Sequence, residues 1–326
     1  MKGSAIGIDI GGTKMAAGVV DLASGRVERQ QRLPTPVNRG GEAVLAACVA
    51  LAADLDASGD LPVGIAVPEL VSQTGHIQSA YQFDWLDLDV AWAFHQRPVT
   101  VASDVRAAAR AEARFGAGSG AGSLLYVSIG TGISSTFVLG GVPWAGSRGH
   151  ALVLSSGDLA AIDPATGGVV RSVLEEWAAG PAIVRRYEAA GGEAGLSTAE
   201  VLALAAEGDD IATPLVSAVA EALGSAVGQA VNLLDPELVV IGGGLGLAGG
   251  DWWDQIVTAT RRAIWSDQTR DLPIVTAGLG EEAGLVGAAL ETCTTPASED
   301  EAFDIRAGWR GDRRERQGGT TKWHRA

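Results

Sequence analysis

The chain has 326 residues, 47% of them apolar, with 45 glycines and a formal net charge of −15. That length accommodates two α/β domains with a large core, and the acidity excludes a nucleic-acid groove, whose backbone contacts need clustered Lys and Arg. Cys48 and Cys293 stand far apart and supply neither a disulfide framework nor a cysteine zinc site. No basic segment leads into an apolar stretch and no apolar run reaches about 18 residues, so neither a signal peptide nor a membrane partner is expected and the setting is the cytoplasm.

In chain order, Ile6, Ile8 and Ile10 form an apolar strand that breaks at Gly11-Gly12, turns through Thr13-Lys14 and resumes at Val19-Val20. This is the pattern of a β-hairpin with a glycine tip. Backbone N–H groups at Gly11 and Gly12 can press against phosphate oxygens, with the Thr13 hydroxyl beside them. Lys14 offers a phosphate contact or a solvated hairpin end. Asp9 ends the first strand, where a carboxylate can hold a hydrated Mg²⁺. Residues 26–34 read as a further strand, 41–56 as an Ala-rich amphipathic helix, 63–68 as a short buried strand, and 71–90 as a loop with a small hairpin carrying Tyr81, Phe83 and Trp85. A strand over 98–103 stops at Asp104 and a helix follows over 105–115; an Asp at such a junction reads as a helix N-cap or as a catalytic base.

The Gly/Ala/Ser-rich residues 116–122 are the most linker-like segment. Beyond them the opening pattern returns. A strand over 123–129 breaks at Gly130-Thr131-Gly132 and resumes over 134–139. Two such units about 120 residues apart indicate a duplicated domain whose tips face each other across a cleft, able to pinch a triphosphate. Helices are predicted over 173–190, 197–207 and 213–234, then a buried strand over 236–241 running into Gly242-Gly243-Gly244, where a ligand can approach the backbone closely. Residues 244–249 match the dinucleotide pattern G-x-G-x-x-G, but so late in the chain, after two phosphate-type tips, the match reads as a decoy. A helix over 252–264, a strand over 273–276 and a helix over 284–291 complete the ordered chain, and residues 297–326 read as a polar, disordered tail.

These motifs resemble the ROK family of sugar kinases and repressors, within the hexokinase–actin–Hsp70 superfold. The resemblance implies a two-domain α/β actin-like ATPase (ribonuclease H-like) fold with an interdomain cleft. The smaller domain would comprise 1–115 plus about 283–296, the larger 116–282. It implies ATP and Mg²⁺ as cofactors, with Asp9, Gly11, Gly12, Thr13, Lys14, Gly130, Thr131, Gly132, Gly242, Gly243 and Gly244 on the nucleotide and metal side and Asp104 as catalytic base. It also places Tyr81, Ser103, Ser147, His150 and Glu175 at sugar-contacting positions. Family repressors carry an N-terminal helix-turn-helix, whereas this hairpin begins at Ile6, so a kinase is expected. Family members are often dimers or tetramers, which implies a homo-oligomer.

The departures from the family pattern fall around the acceptor. Around the base the family reads Asp-Asn-Asp-Ala-Asn; this chain has Ala102-Ser103-Asp104-Val105-Arg106, keeping the aspartate and losing both asparagines. Ser147 replaces the Glu of Gly-Glu-x-Gly-His, while His150 remains. Thr166, Gly168 and Val173 occupy the places of the family's three zinc-binding cysteines, so no zinc site is expected. These losses predict poor use of plain glucose and an acceptor such as an amino sugar, a modified hexose or a valiolone-type cyclitol. A silent sugar-binding sensor and a polyphosphate-dependent glucokinase are the alternatives.

Overall fold

The computed structural model describes residues 3–94 and 97–293; the expected polar tail lies outside the described residues. The chain builds two five-stranded sheets of the same topology. The first comprises β1 (Ser4–Ile10), β2 (Lys14–Asp21), β3 (Val27–Pro34), β4 (Val63–Val67) and β5 (Val99–Ser103), joined by helices α1 (Gly40–Leu55) and the short α2 (Val90–Ala93) and followed by α3 (Asp104–Phe115). The second begins with β6 (Ser123–Ile129), β7 (Ile133–Leu139) and the short β8 (Val142–Pro143). A two-stranded hairpin of β9 (Asp158–Ile162) and β10 (Val169–Val173) then leads into α4 (Leu174–Ala178), α5 (Gly180–Ala189), α6 (Thr198–Ala206) and α7 (Ala212–Leu234). Strand β11 (Leu238–Gly242), the short α8 (Gly243–Gly246), α9 (Gly250–Ala263) and β12 (Ile274–Thr276) complete the second sheet, and α10 (Ala283–Glu291) closes the described chain.

Strand order is 3-2-1-4-5 in the first sheet and, read the same way, 8-7-6-11-12 in the second. In both, an antiparallel meander is extended by two parallel strands, β4 and β5 or β11 and β12. The repeat read from two glycine tips is therefore a repeat of the whole sheet. In an open sheet, ligands gather at the carboxyl ends of the parallel strands. Here those ends carry Asp9, Glu69 and Asp104 from the first sheet, and Gly130 and Gly243 from the second.

The two sheets are joined through a pair of helices. Helix α10 lies on β1 and β4, and α3 packs against α10 on one side and against β6 and β7 on the other. The approach is backbone to backbone. A Cβ at Gly7 would land on the Leu285 carbonyl, one at Gly64 on the Ala288 carbonyl, and one at Gly287 on the Ala107 carbonyl. Leu285, Val286, Ala288, Ala289 and Leu290 of α10 are all buried, each larger side chain contributing roughly 1.5–3 kcal/mol.

The chain passes between the halves twice, at 116–122 and at 277–282, and one residue holds both passages. Glu112 is completely buried. Its carboxylate accepts from the backbone N–H of Ala117 (2.8 Å), Gly278 (3.0 Å) and Leu279 (2.8 Å), so a buried charge is balanced by three oriented donors.

Several expectations need correction. The helix predicted over 173–190 is two helices, α4 and α5, because Gly180-Pro181 restarts the chain: Pro181 occupies the first turn of α5 and cannot continue α4. The β9/β10 hairpin was not predicted. It spans the stretch in which the family places its cysteines, with Thr166 and Gly168 in its turn and Val173 ending β10. Asp104 is not the N-cap of α3 but its first residue; Ser103 holds the cap position and makes no side-chain cap bond. Helix α7 has the length and mean hydropathy of a membrane span, yet 61% of that window is buried in the core of the second half, where Leu215, Val219, Leu223 and Val227 are buried.

Replacing Glu112 by Gln turns one acceptor oxygen into a donor facing backbone N–H groups. Urea unfolding of Glu112→Gln is expected to show a loss of about 2–4 kcal/mol relative to the parent chain, whereas a change within about 0.5 kcal/mol would remove the clasp from the account.

Candidate active site

The two glycine tips are held by their carbonyls and present their amides. At the first tip, Gly11 N–H donates to Lys14 O (2.9 Å), the Thr35 hydroxyl to Gly11 O (2.7 Å) and Thr35 N–H to Thr13 O (3.0 Å). At the second, Gly130 N–H donates to Gly132 O and Gly180 N–H to Gly130 O, both at 2.9 Å. Neither the Gly12 and Thr13 amides nor those of Thr131 and Gly132 have a hydrogen-bond acceptor among the described residues. Successive free N–H groups in a tight turn form an anion-binding concavity. The third glycine element joins the second tip directly. Gly243, at φ 79°, packs so closely on the Ile129 backbone that no side chain fits, and Gly244 has open space where its Cβ would stand, beside Gly130.

Asp9 and Asp104 come together at the strand ends of the first sheet. The Asp9 carboxyl lies against the Cα of Gly284 in the first turn of α10. Burial, and then the charge of Asp104, raise its pKa to about 7 against the partial offset of Lys14. Burial also raises Asp104 to about 6, with a smaller upward push from Glu69, while the Val105 N–H (2.6 Å) works the other way. That bond takes one carboxylate oxygen of Asp104; the other has no hydrogen-bond partner among the described residues. Tyr126 on β6 brings the second sheet to the same point: its hydroxyl occupies the space a Gly242 side chain would need, and burial, then Glu112, Asp104 and Asp9, push its pKa up.

The residues predicted to contact an acceptor divide sharply. Tyr81 is 78% exposed. Ser103 Oγ accepts from Arg106 Nε (3.1 Å), and Arg106, buried, donates onward to the Val71 carbonyl (2.6 Å). Arg106, standing where the family has an asparagine, is thereby committed to a loop. Ser147 is exposed, and His150 shares a 3.0 Å hydrogen bond with Gln78 across the mouth of the cleft, where Gln73 also donates to the Gly146 carbonyl. Glu175 accepts from Ile133 N–H (2.7 Å) beside the second glycine tip. Lys14 pairs with Glu281, which also takes Arg32, both at 2.8 Å and all exposed.

Sequence reading missed three residues here. Glu69, buried, gathers the backbone N–H groups of Tyr81 (2.9 Å), Gln82 (2.8 Å) and Phe83 (3.3 Å) together with the Ser79 hydroxyl. Gln82 places its side-chain oxygen 3.3 Å from where a Cβ on Gly12 would stand. Tyr126 is the third. None has a local signal, although a Glu directly after the Pro68 that ends a buried strand is an unusual place for a charge.

The ROK family matches residues 5–292. The chain belongs to the ROK family. It is 30% identical over 318 residues to a glucokinase of Streptomyces coelicolor, covering 88% of this chain and 96% of that protein. It is 31% identical over 263 residues to an N-acetylmannosamine kinase of Vibrio vulnificus, covering 75% and 84%. The crystal structure of a ROK glucokinase from Streptomyces griseus in complex with glucose and AMPPNP superposes with a TM-score of 0.74 at 29% identity, covering 88% of this chain and 98% of that one. The fold is thus the two-sheet actin-like ATPase fold expected from the sequence.

Two carboxyls with raised pKa make stability pH-dependent. Both bind protons more tightly folded than unfolded, so the stability they contribute is fully present below their ordinary value of 3.8 and is lost as pH rises from there through their folded values of about 6 and 7. Thermal melts of Asp9→Asn are expected to fall less steeply across this window than those of the parent chain without added metal, with Mg²⁺ raising the parent's Tm at pH 8 more than the variant's. An identical pH slope in the two proteins would contradict the assignment.

Proposed function

We propose that the protein transfers the γ-phosphoryl group of ATP to a primary hydroxyl of a neutral sugar or sugar-like acceptor in the cytoplasm, with Asp104 as general base. The observation that carries this reading is the meeting of Asp9 and Asp104 at the strand ends between two amide-presenting glycine tips. Phosphoryl transfer asks little covalent chemistry of a protein; it asks for in-line positioning, charge neutralisation and a base at the attacking oxygen. The Gly12–Thr13 and Thr131–Gly132 amides would be offered to phosphate oxygens, and Gly244, with open space where its Cβ would stand, would leave the backbone bare for the adenosine end. Asp104, lifted to about 6, is ionised at neutral pH yet more basic than an ordinary aspartate. Its unpartnered oxygen can take the hydroxyl proton as the new P–O bond forms.

The residues fit Mg²⁺. Two mutually repelling, partly buried carboxylates, Asp9 raised furthest, form a hard oxygen environment that a divalent cation would stabilise. Asp9 would hold the ion through water, and Mg²⁺ when bound supplies neutralisation of the phosphoryl oxygens. Among the described residues no group of three or more His, Cys, Asp or Glu side chains is arranged to hold a metal.

The relatives' names span glucose and N-acetylmannosamine, so family membership alone leaves the acceptor open. The commitment of Arg106 and Ser103 to each other and to the Val71 loop, with Ser147 in place of a carboxylate, supports an acceptor other than plain glucose: an amino sugar, a modified hexose or a valiolone-type cyclitol. Each missing polar contact is worth about 1 kcal/mol or more in discrimination.

ADP release with Mg-ATP across glucose, mannose, glucosamine, N-acetylglucosamine, N-acetylmannosamine, kanosamine, fructose and valiolone is the test. Turnover of a modified acceptor above glucose, lowered by at least about a hundredfold in Asp104→Asn, is the expected outcome. Glucose as the best acceptor would overturn the acceptor class, and binding without turnover would leave a sensor built on a kinase fold.

A further inference from the structure

We propose that Gln82 is the acceptor-discriminating side chain of this site and that buried Glu69 is the residue that positions it. The proposal rests on the kinase reading above and names the residue through which the site sorts its acceptors.

Glu69 leaves the carboxyl end of β4, the strand between those that deliver Asp9 and Asp104. Only 5% of it is exposed, and a carboxylate so placed must be compensated. The compensation comes from one segment, residues 79–83, through the Ser79 hydroxyl and the successive backbone N–H groups of Tyr81, Gln82 and Phe83. Three consecutive amides on one carboxylate fix the path of the backbone, and Phe83, buried edge-on against Trp85 at a ring separation of 5.0 Å, fixes its inner face. Tyr81 and Gln82 are both exposed, and of the two it is Gln82 whose side-chain oxygen reaches the first phosphate tip, 3.3 Å from where a Cβ on Gly12 would stand.

The other polar side chains offered to an acceptor are spent. Arg106 and Ser103 bond to each other, His150 to Gln78, and Glu175 to Ile133. The Gln82 carboxamide has no hydrogen-bond partner among the described residues. A neutral amide can donate to one ring oxygen and accept from a neighbouring hydroxyl, which suits a neutral polyhydroxylated ring. Asp9, Asp104 and Glu69 together disfavour a sugar acid. Glu69 acts only through Gln82 and is a positioning residue.

The test compares the parent chain with Gln82→Ala, Gln82→Glu and Glu69→Gln. Initial rates with Mg-ATP are measured for glucose, glucosamine and N-acetylmannosamine, and binding of the same three sugars is followed by saturation-transfer NMR, which reads occupancy with or without turnover. Gln82→Ala is expected to raise acceptor KM and Kd at least about tenfold while KM for ATP changes less than about twofold. Gln82→Glu should shift preference toward cationic glucosamine relative to glucose. Glu69→Gln, checked first for a folded thermal transition, should reproduce the Gln82→Ala loss although it touches no acceptor. Unchanged acceptor KM and Kd in Gln82→Ala, or an ATP KM rising in step with them, overturns the proposal while leaving the kinase reading intact. Acceptor binding that depends on Gln82 without any phosphoryl transfer overturns the kinase reading and upholds the assignment. Absence of both binding and turnover in the parent chain overturns both.

Discussion

The buried Glu112 carboxylate ties the start of one passage between the halves, at Ala117, to the start of the return passage, at Gly278 and Leu279. Everything at the cleft depends on that clasp and on the backbone contact it accompanies. Gly7, Gly64 and Gly287 let α10 lie directly on the first sheet and on α3, and α10 in turn sets Gly284 against the Asp9 carboxyl. A side chain at any of these glycines would separate elements whose carbonyls occupy the space. The two sheets are therefore joined by geometry that tolerates little change, and the cleft between them inherits its position from α3 and α10.

That geometry works against the protein's own electrostatics. Asp9 and Asp104 sit in a partly dry environment that raises the proton affinity of both; the charge of Asp104 adds to the rise at Asp9, and that of Glu69 to the rise at Asp104. A chain selected for stability alone would avoid three carboxyls at adjacent strand ends. Storing unfavourable charge at one point is characteristic of sites that later bind a cation and a polyanion. The fold balances the cost elsewhere, through backbone donors: three to Glu112, three to Glu69, one to Asp104.

Much of this was legible in the sequence, and the division follows local against non-local signals. The hairpin over Ser4–Asp21, its repeat at Ser123–Leu139, the strand running into Gly242 and the last helix announce themselves through apolar periodicity broken by glycine, which needs no tertiary context. The β9/β10 hairpin was hidden because its inward face, Leu159, Ala161 and Val170, is only half-buried and its other residues are largely exposed; its Gly167-Gly168 turn was the signal available. The break between α4 and α5 was written in Gly180-Pro181. Glu69, Glu112 and Gln82 could not be found this way. A charged or amide residue in a sequence reads as surface, and only packing shows that Glu112 lies where two chain passages meet or that Gln82 faces a glycine tip. The N-cap reading of Asp104 erred by one residue, within the ordinary uncertainty of helix ends.

The proposed reaction moves phosphate from ATP to a carbon-bound oxygen under the control of Asp104. Phosphorus NMR of a reaction with Mg-ATP and a turned-over acceptor reads this directly. A phosphomonoester signal split by the two protons of an adjoining CH₂ group is expected, growing as the γ-phosphate signal declines and absent with Asp104→Asn. Inorganic phosphate as the only product, or a phosphomonoester formed equally well by Asp104→Asn, would contradict it.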